Sequence, residues 1–186
     1  MPLIHSWQEI LDLGDDWLTP AERALIADCK AGEPCVLDDG ALPPKGAPGP
    51  DREIRAEVLR YLILGGCDTV PVRGWGLQLW GGHVTGDLDL SFARAQGATM
   101  LISCRFDQPV SALQTRFEAL ALTNSILPDL NMQGARVTGH VFSRQHQLHG
   151  RGQPVRGRDW RAALLHRREV LGNEGARPER AAAAGW

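Results

Sequence analysis

Three histidines within a short stretch are the first candidates for chemistry, because a neutral imidazole is a common metal ligand. They are His140, His146 and His149, and their spacing matches no recognised ligand pattern. No Cys, Asp or Glu close by completes a tetrahedral set. We therefore interpret the three as exposed histidines and predict no metal site, although His146 and His149 would be the first pair to hold one.

Two carboxylates form the next candidate. Asp87 and Asp89 flank Leu88, so the alternation of a strand directs both carboxylates away from the core on one face. Glycosidases use such a pair as acid and base. Enzymes that do so on a β-helix need many more coils and a long groove, so we interpret these two residues as exposed polar positions.

Motifs for cofactors and nucleophiles do not occur. Gly74, Gly76, Gly81 and Gly82 lack the context of a dinucleotide fold or a phosphate-binding loop. The Gly-x-Ser-x-Gly elbow of hydrolases is also missing from the sequence. We predict no catalytic residue and no cofactor, and a function that is more consistent with binding than with catalysis.

Large aromatic residues and arginines dominate binding hot spots, and they give the predicted interaction surface. Trp75 and Trp80 are the main candidates, with packing in the core as the alternative for each. The residues of the C-terminal part proposed for the same role are Trp160, Arg167 and Arg168.

The segment after residue 144 contains eight arginines and no lysine. Residues 159–171 are predicted to form a helix, because Asp159 suits the N-cap and Gly172 the stop. We expect this helix to cap the end of the strand-forming region that precedes it or to pair with its copy in a homodimer. An arginine-rich contact with nucleic acid is a weaker alternative, because the aromatic residues are confined to Trp160.

Composition limits the class of protein. A chain of 186 residues with 43% hydrophobic content can bury a core. No run of about 18 apolar residues occurs, so no membrane span is expected, and the start lacks a basic leader, which makes a cytoplasmic location the default. Four scattered cysteines without a Cys-x-x-Cys pair predict free, mostly buried thiols.

The N-terminal part of the chain, up to residue 70, is predicted to be helical. Ser6 and Glu9 form a capping-box pattern, and Thr19 and Glu22 repeat it with Pro20 between them. Gly32 marks the end of the second helix. A Pro- and Gly-rich connector follows over residues 33–50, and a third helix is expected from near Asp51 to Gly65.

From Gly74 onward the apolar period changes from helical to strand-like. Short segments with alternate apolar residues recur about every ten residues, separated by Gly, Asp, Asn and Ser. Residues 76–91 align with 129–144, and 100–106 align with 120–126 at an offset of 20. Self-similarity at about 20 residues favours a parallel β-helix over an antiparallel sandwich.

The alternation also predicts which side chains face the core. The inward positions are Leu79, Val84, Leu88, Leu90, Ile102, Phe106, Leu122, Ile126, Leu130, Met132 and Val137, and the outward ones are Gln78, Asp89, Thr123 and Asn131.

These strands resemble the pentapeptide-repeat superfamily, whose right-handed quadrilateral β-helix has five-residue faces with a central Leu or Phe inside. The chain is most similar to a degenerate bacterial branch with a helix like residues 54–60, a Leu-x-Leu-x-Gly-x-x-Val-x-Gly strand pattern and turns like residues 125–128. Some members of that branch carry the label membrane-associated oxidoreductase. No nucleotide or flavin motif accompanies the label here, so we expect no such activity.

We therefore expect a mainly β chain, a right-handed parallel β-helix solenoid, with a helical cap at residues 1–70, coils at 71–144, and a basic C-terminal helix and disordered tail at 145–186. The predicted function is a non-enzymatic protein-interaction or scaffold module with a protein partner. One alternative is an enzyme or small-ligand-binding protein that uses a cleft between the helical cap and the coils, near His83, Asp87 and Cys67. Another, implied by the resemblance, is a DNA mimic that binds a topoisomerase, but residues 71–144 carry 5 acids and 6 bases, a net charge of +1.

Overall fold

A computed structural model describes residues 17–67, 70–142 and 147–148. Over these residues the protein is mainly β, with nearly all strands in parallel sheets and two α-helices. No helix among them is long and apolar enough to cross a membrane. The predicted helices at residues 6–13 and 159–171 lie outside the described residues.

The first helix, α1, spans Pro20–Ala31 and has the predicted ends. Thr19 is its N-cap and accepts a hydrogen bond from the amide of Glu22, while the Glu22 carboxylate accepts one from the amide of Thr19. Gly32 ends the helix in the left-handed conformation, with φ of 79°. The local capping chemistry of the sequence is thus confirmed.

The next helix, α2, spans Ala56–Ile63, so the prediction that it begins near Asp51 is wrong. Residues Glu53–Arg55 form a strand, β2, which pairs in parallel with His83–Thr85 and buries Ile54. Backbone pairing with a distant strand, which sequence periodicity does not reveal, delays the start of the helix.

The other strands are short. They are β1 (Cys35–Val36), β3 (Gly66–Cys67), β4 (Val70–Pro71), β5 (Gly76–Trp80), β6 (His83–Thr85), β7 (Leu88–Asp89), β8 (Ala98–Ile102), β9 (Arg105–Phe106), β10 (Val110–Ser111), β11 (Arg116–Phe117), β12 (Ala119–Ala121), β13 (Ile126–Leu127), β14 (Leu130–Asn131), β15 (Arg136–Val137), β16 (Val141–Phe142) and β17 (Gln147–Leu148).

Four parallel sheets contain most of these strands. Sheet 1 has the order β1-β5-β8-β12-β16, sheet 2 has β17-β13-β9-β6-β2, sheet 3 has β14-β10-β7, and sheet 4 has β11-β15. From β5 the chain visits sheets 1, 2, 3 and 4 in turn and then begins again, with a bridge between Arg94 and Arg116 extending sheet 4. Strands β3 and β4 form a separate antiparallel pair.

The pairing register shows how far the chain travels before it returns to the same sheet. Leu77 pairs with Thr99, and Val110 pairs with Leu130. Both returns agree with the predicted self-similarity at about 20 residues. Met100 pairs with Ala121 and not with Leu120. The predicted offset of 20 between residues 100–106 and 120–126 is therefore one residue too short.

The direction of the side chains follows the prediction in most strands. Leu79, Val84, Leu88, Leu90, Phe106 and Leu122 are buried, while Leu130, Met132 and Val137 are half-buried and pack against the core.

The prediction for Ile102 and Ile126 is wrong, because both are half-buried while their neighbours Leu101 and Leu127 are buried. Strand β8 begins directly after Gly97, whose φ is 67°, and this turn places Thr99 and Leu101 toward the interior. A one-residue change in the phase of a strand exchanges its two faces.

Polar side chains at the inner corners hold successive chain segments together. The Ser125 hydroxyl donates to the carbonyl of Leu101 at 2.8 Å and accepts from the amide of Cys104 at 3.0 Å. The Thr115 hydroxyl donates to the carbonyl of Leu90 at 2.7 Å. These buried bonds satisfy backbone groups that the corners leave outside the sheets.

Three of the four cysteines are buried free thiols, as the sequence predicted; the side chain of Cys67 is outside the described set. Burial raises the pKa of Cys29 to about 12, and the nearby Asp28 adds to the shift. Burial also raises the pKa of Cys104 to about 12 and that of Cys35 above its usual range. All three therefore behave as small apolar side chains.

Candidate functional site

A buried ion pair fixes α1 against the end of β2, where Arg55 is also the N-cap of α2. The carboxylate of Glu22 is fully buried and accepts hydrogen bonds from the backbone amide of Arg55 at 2.8 Å, from its Nε at 2.9 Å and from its Nη2 at 2.5 Å. The Arg55 guanidinium also lies 3.5 Å from the centre of the Trp17 ring. With the Thr19 amide as a fourth donor, the carboxylate is occupied by structural contacts.

A second polar pair joins sheet 2 to the loop after β9. Nε2 of His83 lies 2.7 Å from Oδ1 of Asp107, and the His83 side chain is 1% exposed while that of Asp107 is 42% exposed. The backbone places them together because Val84 pairs with Phe106, one residue before Asp107. A carboxylate in this position can orient an imidazole, as it does in enzymes that use histidine as a base.

The surroundings of His83 keep it from solvent. Glu53 and Arg105 occupy the neighbouring positions on the two adjacent strands. The Nε of Arg105 donates to the carbonyl of Pro43 at 2.9 Å, which holds the Pro- and Gly-rich connector against this sheet. Because a base must come within hydrogen-bond reach of its substrate, the buried His83 is better suited to holding this layer together.

The cleft proposed from the sequence combined His83 with Asp87 and Cys67. The carboxylate partner of His83 is Asp107, and Asp87 is exposed. Cys67 lies in the β3–β4 pair, with its side chain outside the described set. The bond to Asp107 was not anticipated, because 24 residues separate the two partners in the sequence.

Asp89 is exposed, as the alternation of the strand predicted. Hydrogen bonds from the hydroxyl and the amide of Ser91 hold the pKa of Asp89 below its usual range. The Asp89 carboxylate therefore caps a local turn.

Trp75 is the most prominent side chain among the predicted binding residues. Its side chain is 77% exposed. Its backbone is fixed between Gly74 and Gly76, both at positive φ, and its carbonyl accepts a hydrogen bond from the amide of Ala98 at 2.6 Å. An exposed indole on an anchored backbone is a favourable binding residue, because little conformational freedom remains to be lost.

The other predicted residues divide into two groups. Trp80 is half-buried at the far end of β5, between Val36 and Ile102 on the adjacent strands. Trp160, Arg167 and Arg168 lie outside the described residues.

Phe92 is an exposed aromatic that sequence reasoning missed. It is 73% exposed and its φ is 59°, a conformation unusual for a bulky residue. Gln114 and Gly134, both at positive φ, occupy comparable corners on the next two passes of the chain through the sheets. Gly134 was the one sequence feature that indicated a left-handed corner at these positions, and a side chain at such a corner points outward.

The predicted histidine group is described only in part. His140 is exposed, and His146 and His149 lie outside the described residues. In the part of the chain that the structure covers, no three His, Cys, Asp or Glu side chains form a group that could hold a metal ion.

A small interior cavity lies between the sheets. Its volume is about 20 Å³, and its walls are apolar except for Thr99. The lining side chains include Leu88, Leu101, Phe106, Val110, Phe117 and Leu127. This space is a packing defect of the core and is too small for a substrate.

Comparisons with known proteins give no relative from which a function can be transferred: no family model, no curated protein and no solved structure matches the chain.

Proposed function

We propose that the chain is a non-enzymatic binding module whose contact surface includes Trp75 and whose partner is a protein. The observation that carries this proposal is the exposure of the Trp75 indole on a backbone anchored by Ala98. Large aromatic residues that are exposed and rigid are typical centres of protein interfaces. Phe92 adds a second exposed aromatic.

We further propose that the four parallel sheets form a right-handed β-helix of the pentapeptide-repeat kind. Support comes from the order in which the chain visits the sheets and from its regular return to each of them, as in the pairs Leu77–Thr99 and Val110–Leu130. About five residues per sheet agrees with the five-residue faces that the resemblance implies. Such a frame would hold the exposed side chains at fixed spacings.

The alternatives have less support. A catalytic cleft around His83 would require the imidazole to reach a substrate, but the ring is buried and bonded to Asp107. A DNA mimic needs an acidic surface, whereas residues 71–144 have a net charge of +1.

An affinity capture from lysate of the native host tests the proposal. The immobilised full chain is compared with Trp75→Ser, which removes the exposed indole, and with Val36→Ser as a matched control. Val36 is also exposed but pairs with Trp80 at the opposite end of β5. We expect the wild type and Val36→Ser to retain a stoichiometric partner. Trp75→Ser should retain at least tenfold less of that partner.

A third variant, Arg167→Gln/Arg168→Gln, tests the basic tail predicted from the sequence. Equal capture by all four proteins, or no specific capture by any, would contradict a contact at Trp75. Circular dichroism of each variant establishes that the fold is unchanged.

A further inference from the structure

Three arginines occupy equivalent positions on adjacent segments of sheet 4. Arg94 forms a parallel bridge with Arg116, and Arg116 pairs with Arg136 in the register of β11 and β15. They stand far apart in the sequence, so no local pattern reveals that they are neighbours. We refer to Arg94, Arg116 and Arg136 as the arginine row.

The guanidinium groups of the row point to solvent. All three residues are exposed, while the residues that follow them, Ala95 and Phe117, are buried and Val137 is half-buried against the core. Adjacent strands lie about 4.8 Å apart, so the row extends for about 10 Å. It forms a short, straight line of positive charge on one face.

Nothing in the described part of the chain neutralises the row. Other arginines are engaged: Arg52 pairs with Asp38, and Arg55 with Glu22. By contrast, no hydrogen bond or ion pair joins the side chains of the row to any described residue. Like charges on adjacent strands destabilise a sheet, and an acidic ligand would remove this repulsion.

Exposed aromatic residues stand on both sides of the row. Phe92 precedes Arg94 by two residues at the corner between sheets 3 and 4. Trp75 lies at the other border, beside Gly97. The two backbones are so close there that a Cβ atom on Gly97 would lie 2.9 Å from the Trp75 carbonyl oxygen. Since Gly97 follows Phe92 by only a few residues in the chain, the backbones of Phe92 and Gly97 are within about 17 Å of each other, and Trp75 lies directly beside Gly97.

We propose that the arginine row is the docking site for an acidic, extended segment of the partner protein, with Phe92 and Trp75 contacting apolar side chains of that segment. This proposal rests on the function proposed above and adds the chemistry of the partner. Guanidinium groups bind carboxylates through paired, charge-assisted hydrogen bonds. Arginine and tryptophan are also the residues that contribute most at protein interfaces.

The length of the row favours a peptide over a nucleic acid. Three arginines can neutralise about three phosphates, which is few compared with the roughly 6 to 10 contacts of proteins that bind nucleic acid strongly. The chain as a whole has a net charge of −2, and residues 1–70 carry 13 acids and 6 bases. A long polyanion would meet this negative charge beyond the row, whereas a short acidic segment would not.

The test measures fluorescence anisotropy of labelled probes with the full chain in 50 mM NaCl. The first probe is a 12-residue peptide with Glu at alternate positions and one central Phe, the second is the same peptide with Gln for Glu, and the third is a 12-nucleotide oligouridylate. We expect the Glu peptide to bind, and the Gln peptide and the oligonucleotide to bind at least tenfold more weakly.

Variants connect binding to the row. Arg94→Gln/Arg116→Gln is expected to weaken binding of the Glu peptide about tenfold, because each exposed ion pair is worth up to about fivefold. The control Lys30→Gln/Lys45→Gln removes the same charge from exposed positions on α1 and the connector, and should change binding less than twofold. Equal loss in the two double variants, no binding of the Glu peptide, or tighter binding of the oligonucleotide would each overturn the proposal.

The two proposals fail separately. A partner captured in a Trp75-dependent manner, but unaffected by Arg94→Gln/Arg116→Gln, would leave the binding module in place and reject the arginine row as its acidic docking site.

Discussion

Replacing Glu22 with Gln removes the charge from a fully buried carboxylate while keeping the size of the side chain. The carboxylate accepts four hydrogen bonds, three from Arg55 and one from the Thr19 amide. A Gln amide offers one acceptor oxygen, and its NH₂ group would face N–H donors. The substitution therefore leaves buried donors without acceptors and leaves the Arg55 charge without its counterion.

The magnitude follows from the burial of the pair. Removing one partner of a buried ion pair costs about 3–5 kcal/mol. The Arg55 side chain is 18% exposed and also donates to the carbonyl of Trp17, so water and this carbonyl offset part of the loss. We expect a decrease of about 3 kcal/mol in the free energy of unfolding, which corresponds to about 6–12 °C in the melting temperature.

Urea unfolding followed by circular dichroism provides the measurement, with Glu33→Gln as the control. Glu33 is exposed just beyond α1, so its neutralisation should change the free energy of unfolding by less than about 0.5 kcal/mol. A double-mutant cycle with Arg55→Gln isolates the coupling between the two side chains. A loss below about 1 kcal/mol for Glu22→Gln, or a coupling near zero, would refute the assigned role of the pair.

Three further outcomes are expected. Ser125→Ala should lower the free energy of unfolding by about 1–3 kcal/mol in urea titrations, because the amide of Cys104 loses its buried acceptor, whereas Thr123→Ala should have little effect. The buried thiols keep their protons well above the pH at which unfolded thiols ionise, so their contribution to stability should be constant below about pH 8 and should decline as the pH rises toward 12, by about 1 kcal/mol per thiol at pH 10. Urea unfolding at pH 8 and pH 10 measures this loss, and a Cys104→Ala chain with the same pH dependence as the wild type would contradict it. Arg116→Gln should raise the melting temperature at 10 mM salt more than Arg94→Gln does, because Arg116 has a like charge on both sides, and the difference should vanish at 0.5 M salt.

Several local features of the chain could be predicted from the sequence. The capping box of Thr19 and Glu22 and the stop at Gly32 depend on residues within one or two turns, and both occur as predicted. The change to short strands after Gly74 and their regular parallel return are confirmed in the same way. Trp75 could be selected by its type, but its exposure could not be known without the fold.

Contacts between residues far apart in the chain could not be predicted from the sequence. Glu22 meets Arg55 across 33 residues, and His83 meets Asp107 across 24. The phase of Leu101 and Leu127 depends on where each corner places the next strand, and one residue of difference exchanges the inner and outer faces.

Residue order alone was sufficient for the features whose causes are local: the helix caps, the strand period, and the thiols without a pairing pattern. Three features depend on the tertiary structure: β2 replaces the first turn of the predicted helix, Arg105 beside His83 holds the connector against sheet 2, and Arg94, Arg116 and Arg136 form one row. The physical reason is that parallel pairing brings together residues that are about 20 positions apart. Their register is fixed by the summed length of four strands and four corners, so no single segment specifies it.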